Sequence, residues 1–296
     1  MRPYVVSVPY RYDEYNEGLG LGPGRMLDLG LREAAASVES AQLSDEDRED
    51  DRTAVNIGKL GKSTAALVAR ARLSGAPVLV VAGDDTAAVG VVAGLQESDG
   101  ADSALGIVWI DAHGDFNTPD TSYSGILAGM PLAVIAGLAG PRWREATGLA
   151  IAVPGDHMLL LGVRELDDAE EQLLTANQVV VRTAAELRDA DAIAGAIGHL
   201  AAKCRLLYVN IDLDVLDPRF VPSSPTPSGN GLEVDKLDEI VTALLATGKV
   251  AAVSVTSLNP MRGQRGQTSS DSAWRVVEHI LGSWTSIPAP PTSATG

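Results

Sequence analysis

The chain has 296 residues, 45% of them hydrophobic, a single cysteine and a formal net charge of −16. That is enough apolar material for one large core or two small ones, while the acidity argues against nucleic acid and anionic membrane surfaces as partners. No apolar run is long enough to span a bilayer, Met1-Arg-Pro-Tyr4 leads into a strand and not into a signal core, and the lone Cys204 permits no intramolecular disulfide, so a cytoplasmic location is expected. In chain order, apolar runs of strand length fall at 4–9, 78–82, 106–110, 158–163, 178–181, 206–211 and 250–255. Between them, stretches of helical composition occupy 63–74, 87–95, 167–176, 189–203, 233–246 and 271–281. This alternation predicts an α/β fold with a parallel sheet covered on both faces. The acidic stretch at 44–51 reads as a solvated loop or helix start. One domain over 1–285 is expected, followed by a disordered Ser/Pro/Ala-rich tail from Ser286 to Gly296.

Two aspartate clusters carry the chemistry. Asp111-Ala-His113-Gly-Asp115-Phe-Asn117 follows the run 106–110, and Asn210-Ile-Asp212-Leu-Asp214 closes the run 206–211. Alternate residues of a strand point to one side, so Asp111, His113 and Asp115 can leave a strand end together, as can Asp212 and Asp214. Brought together in an interior, four carboxylates and an imidazole would repel severely unless cations sat among them. Oxygen donors with one nitrogen suit Mn²⁺ or a similar divalent ion, and two ions explain five ligands better than one. The competing reading is a pair of unrelated acidic loops at strand ends. The carboxyl ends of parallel strands are, however, where such sheets place ligand sites.

At these residues the chain resembles the ureohydrolases, the arginase and agmatinase group of binuclear manganese hydrolases. Val81-Ala-Gly-Asp84-Asp85-Thr is similar to the family's Gly-Gly-Asp-His-Ser element. The stretch from Asp111 to Pro131 is similar to its Asp-Ala-His-x-Asp-x-Asn segment and the Gly-Met-Pro that follows. Asp212-Leu-Asp214-Val-Leu-Asp217-Pro218 is similar to its Asp-Val-Asp-x-x-Asp-Pro block, and Asn259-Pro260 to the end of its Glu-Val-Asn-Pro element. The resemblance covers residues 3 to 285 and implies a three-layer α/β/α fold with a doubly wound, mainly parallel sheet of about eight strands. It also implies a homo-oligomer acting on a small molecule. By the same resemblance Asp111 and Asp212 bridge two Mn²⁺ ions, His113 and Asp214 complete one, and Asp115 with position 85 completes the other. Asp115 would also accept the proton of the attacking water and pass it towards the leaving amine. The loop with Asn117, Ser122 and Ser124 would hold a substrate carboxylate, while Asp167 and Glu170 would meet an α-amino group. An ordinary helix start explains those two acids equally well.

Three positions depart from the family pattern. The ligand histidine is here Asp85, which leaves three readings: carboxylate in place of imidazole, a mononuclear site, or an empty site in a non-catalytic protein. The proton-shuttling histidine is Ala128, and the carboxylate that pairs with guanidinium is Ser257. His157 lies after Pro154-Gly155 and reads as structural rather than as a replacement shuttle. Alanine moves no proton and serine neutralises no cation, so efficient L-arginine hydrolysis is not expected. The leading expectation is a C–N hydrolase for a modified guanidine or an amidine, with or without an amino-acid head group. The alternatives are a deacetylase-like amide hydrolase and a non-catalytic paralogue.

Overall fold

The computed structural model describes residues 2–286. The expected disordered tail lies outside these residues except for Ser286, which closes the last helix, Gln264–Ser286. The strands are β1 (Tyr4–Val8), a hairpin of β2 (Tyr10–Arg11) and β3 (Glu14–Tyr15), β4 (Ser37–Ser40), β5 (Val78–Ala82), β6 (Leu105–Ile110), β7 (Met158–Val163), β8 (Val180–Thr183), β9 (Leu206–Asp212) and β10 (Val250–Thr256). Eight of them form one sheet in the order β4-β1-β5-β10-β9-β6-β7-β8, and every pairing in it is parallel.

The strand sequences explain this burial. β5 reads Val-Leu-Val-Val-Ala and is buried throughout, because both faces of a parallel sheet carry helices. Val78, Val80 and Ala82 join one apolar core, with Ile57, Leu60, Val89 and Val92 of the helices Thr53–Leu73 and Ala88–Asp99. Leu79 and Val81 point the other way, into a second core with Ile197, Leu237 and Ile280 of the helices Ala190–Lys203, Val234–Ala246 and Gln264–Ser286. The result is the expected α/β/α sandwich. Among the described residues no helix is long and apolar enough to cross a membrane.

Three local features differ from the sequence reading. The helix expected from residue 63 begins at Thr53, because its first turns carry Asn56, Gly58 and Gly61, which blur the apolar pattern. Those residues serve tertiary contacts. Asn56 Nδ2 donates to Asp13 Oδ2 at 2.8 Å, and a Cβ on Gly58 would stand 2.6 Å from the Ala146 Cβ. β4 is a short, half-exposed edge strand reading Ser-Val-Glu-Ser, with no apolar run to mark it. β8 is displaced towards its carboxyl end, to Val180–Thr183. The acidic stretch at 44–51 is a largely exposed loop leading into the helix at Thr53.

Candidate metal centre and substrate cleft

Four neighbouring strands, β5, β10, β9 and β6, end on the same edge of the sheet. Adjacent strands lie about 4.8 Å apart, so side chains leaving successive strand ends meet. Asp84 and Asp85 follow β5, Ser257 follows β10, Asp212 closes β9 with Asp214 in the next turn, and Asp111, His113 and Asp115 follow β6. Because β10 runs between β5 and β9, Ser257 stands between two carboxylates. Its Oγ donates to Asp212 Oδ2 at 2.5 Å and lies 3.2 Å from Asp85 Oδ2. One hydroxyl proton serves only one of them at a time.

Two groups of potential ligand atoms each gather within 4.8 Å: Asp111, His113 and Asp214, and Asp85, Asp111 and Asp115. Asp111 belongs to both. Asp212 is outside these groups but is buried beside them, with its Oδ1 accepting the Asp214 backbone N–H at 2.6 Å. The His113 Nδ1 is 3.3 Å from Asp111 Oδ1 and 3.3 Å from Asp214 Oδ2. Asp115 and Ser257 both hold the left-handed conformation, with φ of 48° and 67°, which costs a residue with a Cβ of order 1 kcal/mol or more. The surrounding structure therefore imposes both orientations.

The electrostatics say what such a site requires. Burial and the Asp214 charge push Asp111 up to about 7. Burial, then the charges of Asp111 and Asp85, raises Asp115 well above the carboxylate range. Asp212 is raised likewise by burial and by Asp214. Burial opposes a charge on His113, but hydrogen bonds to Asp111 and Asp214 overcome it and push the imidazole up to about 12. Carboxylates this close and this deeply buried need positive charge among them, and the His113 imidazole stands between two of them. Divalent cations satisfy the same charges with a donor set of oxygens and one nitrogen, so these residues fit a metal centre.

The supporting roles of several groups were not anticipated from the sequence. The Trp109 Nε1–H donates to Asp111 Oδ2 at 3.1 Å, and the Thr226 hydroxyl to Asp214 Oδ2 at 2.7 Å. Asn210 Nδ2 and the Thr256 hydroxyl both donate to Asp85 Oδ1, at 2.6 and 2.8 Å. The signal was present: Asn210 and Thr256 are polar residues inside otherwise apolar strands, and Trp109 and Asn210 each precede a cluster aspartate by two. The Arg164 guanidinium donates to the carbonyls of Asp214, Val215 and Ser228, fixing the turn that carries Asp214. Asp84 lines the cleft but belongs to neither ligand group. It accepts from the backbone N–H of Tyr12 at 2.7 Å and of Thr86 at 3.0 Å, and burial pushes it up to about 6. Gly83 permits this arrangement, since a Cβ there would sit 2.0 Å from the Tyr10 carbonyl oxygen.

A cleft of about 590 Å³ opens above the carboxylates and is also lined by the expected substrate-binding residues Asn117, Ser122, Ser124, Asp167 and Glu170. Several of them hydrogen-bond one another and the backbone. Glu170 accepts from the Phe116 N–H at 2.8 Å and reaches back to the Asp167 N–H at 3.4 Å. Asp167 Oδ2 accepts from Asn117 Nδ2 and from the Tyr123 N–H, while Asn117 Oδ1 accepts from Thr121. Ser122 is half-buried and Ser124 exposed, with their hydroxyls 3.4 Å apart. Ala128 also lines the cleft. His157 does not, and its Nδ1 lies 3.3 Å from the Leu105 carbonyl.

The family model of the Arginase family matches residues 2–282. The chain is 26% identical to the arginase of Bacillus caldovelox over 287 residues, covering 91% of this chain and 95% of that one. It is 29% identical to the hepatic arginase of Aquarana catesbeiana, covering 94% and 90%. The native crystal structure of the Bacillus caldovelox arginase at pH 5.6 superimposes with a TM-score of 0.83 at 25% identity, over 95% of this chain and 99% of that one. The Entamoeba histolytica arginase in complex with L-ornithine gives a TM-score of 0.84 at 22% identity, over 95% and 100%. A match running almost end to end, on a sheet whose strand ends gather one cluster of acids, makes this chain a member of the arginase family of metal-dependent hydrolases.

Proposed function

We propose that the protein is a binuclear manganese hydrolase that cleaves a C–N bond in a guanidino or amidino substrate and turns over L-arginine poorly. The observation that supports this reading is the gathering of Asp85, Asp111, His113, Asp115 and Asp214 at the strand ends, with Ser257 and Ala128 lining the same cleft. Asp111 and Asp212 would be shared between two ions, His113 and Asp214 would complete one, and Asp85 with Asp115 the other. When bound, the ions would supply the Lewis acidity that makes water nucleophilic near neutral pH. Asp115 accepts a proton from the attacking water and delivers it to the leaving nitrogen as the C–N bond gives way to C–O.

The relatives named above are arginases, and the altered residues separate this chain from them in substrate. Ser257 carries no charge, and its hydroxyl is engaged with Asp212. Ala128 carries no titratable group. A guanidinium left without its carboxylate partner loses about 3–5 kcal/mol where it is buried, a penalty that a less basic hydroxyguanidine lessens. The test is metal analysis of protein purified with Mn²⁺, followed by a screen of guanidino, hydroxyguanidino and amidino compounds. Two ions per chain and release of a urea or amide product are expected. A carboxylate released from a simple amide would point instead to deacetylase-like chemistry. Protein that holds no metal at saturating Mn²⁺ would overturn the enzymatic reading.

A further inference from the structure

The cleft is electrically lopsided. Apart from His113, the charged groups lining it are carboxylates with two exceptions, Arg11 and Arg262. Arg11 belongs to the hairpin that follows β1, and Arg262 to the loop that follows β10. Both are exposed, and among the described residues neither side chain makes an ion pair or a hydrogen bond. Some arginines of this acidic surface find carboxylates, as Arg72 does with Asp99 at 2.9 Å, and others, such as Arg142 and Arg265, do not; Arg11 and Arg262 differ from these in lining the cleft. Arg11 is nevertheless placed. Its guanidinium carbon lies 5.6 Å from the centre of the Tyr12 ring, and Tyr12 is anchored through its N–H to Asp84 in a left-handed conformation, φ 56°. The opposite expectation, an amino-acid head group held by Asn117, Asp167 and Glu170, meets side chains already hydrogen-bonded to one another and to the backbone.

We propose that Arg11 and Arg262 recognise an anionic group at the far end of the substrate, so that the cleft selects guanidino or amidino carboxylates without requiring an α-amino group. This rests on the reading of the cleft as the site of C–N hydrolysis. A substrate with a cationic or polar amidine at one end and a carboxylate at the other matches an acidic floor and a basic rim. Guanidinium is suited to the rim because its planar array of donors meets both carboxylate oxygens.

The experiment measures binding, so that it does not depend on turnover. Mn²⁺-loaded full-length protein is titrated with N-hydroxyguanidinobutanoate, with its primary amide, whose far end is uncharged, and with N-hydroxyguanidinobutylamine, whose far end is cationic. The acid should bind tightest. Arg11→Ala and Arg262→Ala should each weaken the acid by about three- to fivefold, the scale of an exposed ion pair, and leave the amide unchanged. Arg11→Lys and Arg262→Lys should retain most of the preference, and high salt should erase it. Equal affinity for acid and amide in the unaltered protein would overturn the arginine pair alone, as would alanine variants that weaken both ligands alike. Failure of all three compounds to bind would overturn the cleft as a guanidino site and the pair with it.

Discussion

The floor and the walls of the cleft are built differently. The floor residues sit at the ends of β5, β10, β9 and β6, and their supports, Trp109, Asn210 and Thr256, belong to the strands themselves. The walls are loops: the stretch through Asn117 and Ser124, the hairpin with Arg11, and the turn with Arg262. A rigid sheet holds like charges closer than they would otherwise stay, which is what a metal centre needs. Loops tolerate substitution without disturbing that geometry, which is where substrate preference can change.

The sharpest way to break this contrast is at the floor. Asp111→Ala or Asp212→Ala should abolish binding of both Mn²⁺ ions and with it all turnover, whereas Asp85→Ala should remove only one ion. Metal analysis after dialysis checks this, and two ions surviving in Asp212→Ala would end the bridging assignment.

A second test concerns the altered residues, Ser257 in the floor and Ala128 on the cleft lining. L-Arginine turnover should fall two or more orders of magnitude below that of the preferred substrate, matching a lost ion-pair partner of about 3–5 kcal/mol. Ser257→Glu alone should not recover it, because a glutamate there would crowd Asp85 and Asp212. Recovery is expected when Ala128→His is added, and to a larger extent with Asp85→His as well. Steady-state urea release measures each step. Strong arginase activity in the unaltered protein would show that neither Ser257 nor Ala128 limits it.

A smaller effect is expected at the supports. Trp109→Phe and Thr226→Val each remove one hydrogen bond to a ligand carboxylate, and Mn²⁺ affinity should weaken about tenfold to a hundredfold. Competition with a chelator gives the value. Smallest of all, Glu170→Gln should lower stability by about 1–2 kcal/mol, since it weakens hydrogen bonds to two backbone N–H groups. Denaturant unfolding should show this while the metal count is unchanged. A loss of metal in this variant would mean that wall and floor are not separable.

Much of this was legible without coordinates. The β-branched runs announced buried parallel strands, and Asp111, His113, Asp115, Asp212 and Asp214 lie so near strand ends that period-two alternation already groups them within each cluster. The residues that sequence reading missed are informative. The polarity of Asn210 and Thr256 inside apolar strands was visible, but their partner Asp85 is more than a hundred residues away in the chain. The first turns of the helix Thr53–Leu73 were missed because their polar and glycine residues answer to contacts with Asp13 and Ala146.

Local chemistry along the chain thus determined which segments become strands and which side chains could serve as ligands, because burial and alternation act over a few residues. The order of the strands lay beyond it. Only the tertiary structure placed β10 between β5 and β9, and so put Ser257 between Asp85 and Asp212 and brought Arg11 and Arg262 to one cleft. Those neighbours are set by sheet pairing between distant segments, and no local pattern encodes which strand lies beside which.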